Sequence, residues 1–125
     1  LNFILFYFLF ETFFFFFLEN KDINVLKVIA DEIANEMREG FIFFANVNED
    51  KINFVSRSNC KINSGKVLKE AALEAEGNGG GSPTFAQGAG KRVDKLDTIL
   101  ENIKKDIENE NLLYFLDNKN AFLPL

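Results

Sequence analysis

The run "FIFFANV", Phe41 to Val47, limits the fold more than any other part of the chain. It is apolar and aromatic without alternation and too short for a helix of its own, which is the pattern of a strand covered on both faces. It is expected to be a central strand. "NEDK" after it supplies turn residues, and "INFVS" puts Ile52 and Phe54 on one face, so the two runs read as an antiparallel hairpin. Helical patterns flank this pair. In "NVLKVIADEIANEMREG", Val25, Leu26, Ile29, Ala30, Ile33 and Met37 recur at helical spacing, with Asn24 placed to cap the start and Gly40 to end the helix. In "NSGKVLKEAALEAEG", Asn63 or Ser64 can cap a second helix that turns Val67, Leu68, Ala71, Ala72 and Ala75 inward and Lys66, Lys69, Glu70 and Glu74 outward. The clearest helix is "VDKLDTILENIKKDI", with Val93, Leu96, Ile99, Leu100, Ile103 and Ile107 on one stripe. The fold expected is α/β of the α+β kind: a small sheet with a β-hairpin, packed against about three amphipathic helices.

At 125 residues and 47% hydrophobic, the chain is long enough for one modest domain with a core of its own. A net charge of -5 argues against a surface coated in positive charge, though not against a local basic face. Histidine is absent, so a Ser-His-Asp or Cys-His pair lacks its base. Cys60 is the single cysteine, which leaves no ligand set for zinc and no internal disulfide, and makes a reducing, cytoplasmic setting the expectation. No catalytic residue, metal or cofactor is expected.

The amino end is the least ordinary segment. "LNFILFYFLFETFFFFFL" is apolar apart from Asn2, Glu11 and Thr12, and as a helix it would span roughly 27 Å, near the thickness of a bilayer core. Glu11 would then sit near mid-span, and no basic residue precedes the run to orient it. Three readings stand: a low-complexity artefact of a truncated or shifted reading frame, a membrane anchor, or a packed helix. The chain opens on Leu rather than Met, which fits a fragment or a misplaced start. The division expected is a Phe-rich segment over 1–19, one domain over 20–110, and a tail or short helix over 111–125, with Tyr114 and Phe115 packing. A membrane partner is not expected.

"GNGGGSPTFAQGAGK", Gly77 to Lys91, holds six of the eight glycines. A flexible linker would be more polar and would not carry Phe85 and Ala86. The Walker pattern fails because Phe85 stands where its first glycine belongs and Arg92 follows Lys91; GxGxxG fails because its spacing reaches Ser82 from Gly77 and Thr84 from Gly79. The remaining readings are close packing of helix on sheet and close approach to a ligand.

A glycine run followed at fixed distance by Pro83 and then Ala86-Gln87-Gly88, after a helix that opens on Gly65, resembles the carboxy-terminal domain of alanyl-tRNA synthetase, the alanyl-type branch of the DHH-associated domain. The resemblance runs from about Asn24 to Ile107, with Lys69 and Glu70 as further matches. The family usually has a basic residue where Ser82 stands, an acidic or amide residue where Thr84 stands, and often a histidine where Asn63 stands. It lacks here the histidine that follows the glycine run in related phosphoesterases, which points away from phosphodiester hydrolysis. The resemblance implies a non-catalytic domain of an alanine-tRNA ligase, acting in translation by contacting the tRNA elbow, where the D and T loops meet, and so supporting aminoacylation and editing. It implies nucleic-acid contacts from Lys66, Lys69, Gly79, Gly80, Gly81, Gln87, Gly88, Gly90, Lys91 and Arg92. From Arg57 to Arg92 there are six basic residues against three acidic ones, so an acidic chain can carry a basic patch there. The alternative is a structural or homo-oligomerisation module without a ligand of its own.

Overall fold

The computed structural model describes the backbone of residues 2–8 and 11–117 and the side chains of residues 13–109. In chain order the elements are β1 (Asn2–Phe8), β2 (Glu11–Glu19), α1 (Ile23–Glu36), β3 (Gly40–Asn48), β4 (Lys51–Ser58), α2 (Ser64–Glu74), β5 (Asn78–Gly81), β6 (Phe85–Gly90), a 3₁₀ turn (Val93–Lys95) and α3 (Leu96–Asp117). The strands form one mixed sheet in the order β1-β2-β3-β4-β6-β5. Only β2 and β3 run parallel, and α1 makes the crossover that a parallel pair requires.

The central strand is β3, and its lack of alternation has the expected cause. Phe41, Phe43 and Ala45 enter a core shared with α2 and α3, while Ile42 and Phe44 enter a second core beneath α1. The sheet is thus covered on both faces. The β3–β4 hairpin is antiparallel, from Phe41 opposite Ser58 to Asn48 opposite Lys51, and Glu49 in its turn takes a positive φ of 60°. In the larger core α2 and its C-cap contribute Leu68, Ala71, Ala72 and Ala75, and α3 contributes Ile99, Leu100, Ile103 and Ile107.

The Phe-rich run departs from the helix and anchor readings. Residues Glu11–Glu19 are a strand whose Phe13 and Phe15 are buried in the larger core, while Phe14 and Phe16 pack toward α1. Phe16 stacks on Phe44 at 4.9 Å between ring centroids. Consecutive phenylalanines satisfy period 2 as readily as period 3.6, and the open edge of β3 selects the extended form. Among the described residues no helix is long and apolar enough to cross a membrane. Leu1, Leu9 and Phe10 lie outside the described residues.

Local details of α1 also differ. Its cap is Asp22, whose carboxylate accepts from the Asn24 amide at 2.8 Å, and not Asn24 itself. It ends at Glu36 without Gly40, which opens β3; Asn59, just past the end of β4, donates to the Ala34 and Met37 carbonyls and accepts from the Gly40 amide. A distant side chain therefore terminates this helix. The buried stripe is Leu26, Ala30 and Ala34, while Val25 and Ile29 are exposed. At the other end of the chain α3 continues to Asp117, so the segment after 110 begins as helix; the side chains of Tyr114 and Phe115 lie outside the described residues.

Candidate functional site

The glycine stretch folds as a second antiparallel hairpin at the sheet edge. Asn78 pairs with Ala89, Gly79 with Gly88, Gly80 with Gln87 and Gly81 with Ala86, and β6 in turn pairs with β4. Ser82 makes the turn: its Oγ accepts from the Thr84 and Phe85 amides at 3.3 and 3.2 Å. Asn63 caps α2 by accepting from the Lys66 amide. Two of the three departures from the family pattern thus have local backbone work in this chain.

Strand alternation then divides the glycines between two faces. One face meets α2. A Cβ on Gly79 would lie 2.6 Å from Leu68 Cδ2, one on Gly88 would lie 2.8 Å from the same atom, and one on Gly90 would overlap Ala75. Gly81 has no room beside Phe85 and Ala86, and a Cβ on Gly65 of α2 would lie 2.6 Å from the Gly81 carbonyl oxygen. These glycines let a helix sit directly on the backbone of two strands, which is the packing reading for that face. Gly80 faces the other way. A Cβ there would meet nothing within 4 Å, and none of the described glycines has a positive φ.

That other face lies beside α1, which covers β3 and β4. Register sets Asn53, Ala89 and Asn78 in one row across the sheet and Val55, Gln87 and Gly80 in the next. Gln87 and Asn78 are exposed, and Asn53 is half-buried. At the base of the hairpin this face runs into an open cleft of about 600 Å³ lined by Asp50, Lys51, Glu76, Gly77, Asn78, Ala89, Gly90 and Lys91.

The cations expected at the site are separated. Lys91 is exposed at the cleft, with its amide held by the Ala75 carbonyl. Lys66 and Lys69 are exposed on α2, and Lys66 stands at the opposite end of the hairpin, where the Gly65 amide bonds to the Ser82 carbonyl. Arg92 is engaged by carboxylates, at 2.7 Å from Asp94 and 3.2 Å from Glu76. Its hydrogen bonds to Asp94 and then Glu76 hold the guanidinium protonated well beyond its ordinary range, and the same bond holds the Asp94 carboxyl below the usual carboxylate range. Arg57 is likewise paired, with Asp31 at 3.1 Å. Geometry adds Lys51, Asn53 and Asn78 to the residues read from sequence. Period-2 alternation carried backward from Val55 would have placed Lys51 and Asn53 on this face. Among the described residues no group of three or more side chains could hold a metal ion.

Residues 11–109 match the DHHA1 domain family. The chain is 34% identical over 98 residues to the alanine-tRNA ligase of Alkaliphilus oremlandii and 33% identical over 97 residues to that of Clostridioides difficile, covering 74% of this chain in each case. It spans 11% of the length of those curated relatives. Among solved structures it is similar to the C-Ala domain of Aquifex aeolicus alanyl-tRNA synthetase, at a TM-score of 0.70 and 30% identity, over 76% of this chain and 89% of that one. The matched region takes in β2 through most of α3, the whole sheet except β1, and the glycine hairpin with its two unlike faces. The chain therefore belongs to the DHHA1 domain family, in its alanyl-tRNA synthetase C-terminal branch.

Proposed function

We propose that this domain is a non-catalytic tRNA-binding module, acting in the cytoplasm at the tRNA elbow in support of aminoacylation and editing. The observation that carries the reading is the similarity to the C-Ala domain together with a hairpin that leaves one face open beside exposed lysines. An exposed lysine neutralises phosphate by releasing counterions, and a shape-reading contact of this kind suits loops better than the deep groove of A-form RNA. Anisotropy titration of labelled tRNA across a salt series tests it. Binding is expected to weaken with salt, and Lys66→Ala and Lys91→Ala are each expected to reduce the slope of log K against log salt by about 0.7 to 0.9. Absence of binding at low salt overturns the reading.

Arg92 has a supporting part here. Its guanidinium is shared between Glu76 and Asp94, so it braces the end of β6 and offers less charge to a phosphate than Lys91 does. A second reading, association of copies of the chain, is favoured by one observation. Val25 and Val28 on the outer side of α1 are 53% and 57% exposed.

A further inference from the structure

Gly80 has no internal reason to be glycine. Its φ is not positive, and a Cβ at this position would stand in open space, whereas Gly79 and Gly81 on either side are required by packing. The missing side chain therefore keeps the outer face clear. The polar groups around it are also uncommitted: among the described residues the carboxamides of Asn53, Asn78 and Gln87 make no side-chain hydrogen bond. Each offers both a donor pair and an acceptor, which is the complement of a nucleobase edge. The adjoining cleft carries Lys51 and Lys91 on its walls beside the carboxylates of Asp50 and Glu76, of which Glu76 is paired with Arg92.

We propose that the cleft and the face beside it form a seat for one unpaired nucleotide, an assignment that rests on the tRNA-binding reading above. The phosphate lies between Lys51 and Lys91. The base lies flat on the backbone of β5 and β6 at Gly80, with Gln87, Asn78 and Asn53 at its edges. Asn78 and Gly80 are two residues apart on one strand, about 7 Å, a reach that a single nucleotide covers. A paired base would present its edges to its partner and its faces to its neighbours, so the seat takes a base turned out of a loop and rejects continuous duplex.

The test compares three labelled probes by anisotropy at one salt concentration: a tRNA transcript, a short single-stranded RNA, and a fully paired RNA hairpin stem. Gly80→Leu fills the seat without disturbing the fold, which thermal melting verifies, and Gln87→Ala removes one edge contact. The expected result is about a tenfold loss for tRNA and for the single strand with Gly80→Leu, a smaller loss with Gln87→Ala, and no change for the paired stem. Lys51→Ala is expected to weaken tRNA binding and lower its salt dependence. If the unaltered protein binds tRNA and all three variants bind as tightly, the seat is overturned while the tRNA-binding reading stands. If the unaltered protein binds none of the probes, the tRNA-binding reading fails and the seat with it.

Discussion

Glycines of the one β5–β6 hairpin are held by opposite constraints. Gly90 lies against Ala75, the C-cap of α2, and has no space for a Cβ, so Gly90→Ala is expected to destabilise the fold by about 1–3 kcal/mol through overpacking. Gly80 looks into open space, so Gly80→Ala is expected to be neutral or to stabilise by up to about 1 kcal/mol, since alanine loses less backbone freedom on folding. Urea denaturation of the two variants checks both signs at once; equal destabilisation would contradict the division of faces. The residue types and their spacing were legible in the sequence. Which glycine serves which face was not, because that depends on the strand register and on α2 lying over one side of it.

At the scale of elements the Phe-rich segment is the instructive case. Nine residues from Glu11 to Glu19 form a strand between β1 and β3, and Phe13 within it is completely buried. Phe13→Ala is expected to cost about 3–5 kcal/mol, measured by chemical denaturation, where a dispensable leader would show no loss. An unbroken run of one apolar residue has no period of its own, so helix and strand were equally open until β3 offered an edge. α1 shows the complementary limit. Of the six residues read as one stripe, Leu26 and Ala30 are buried and Ile33 and Met37 pack against the same core, whereas Val25 and Ile29 lie outward with Val28. The small side chains won the buried side because alanines let the helix approach the sheet closely. Its end was hidden for a different reason: Asn59, which donates to the Ala34 and Met37 carbonyls, is more than twenty positions away in sequence. By contrast β3, the β3–β4 hairpin, α2 and α3 were readable, since each has a distinct period and local turn or cap residues.

For the whole molecule, the arrangement of layers decides what is left for partners. α2 and α3 cover one face of the sheet, while on the other α1 lies over β3 and β4, leaving the outer face of the second hairpin and the outer side of α1 exposed. If the outer side of α1 joins two copies, multi-angle light scattering of the full chain will give twice the monomer mass and Val28→Glu will return it to one. A monomer at all concentrations removes that reading and leaves the hairpin face as the surface to pursue. Fold class, central strand, the extent of α2 and the family were readable in the chain itself, because periodicity, caps and fixed motif spacing are local quantities; α3 was readable as a helix but runs ten residues past Ile107, to Asp117. Tertiary structure alone decided that the phenylalanine run is a strand, that Gly80 faces outward while its neighbours are packed, that Arg92 is held between Glu76 and Asp94, and that Lys51 and Lys91 share a cleft. Each of these depends on which distant segments come together, and the chemistry of the open face arises only where they do.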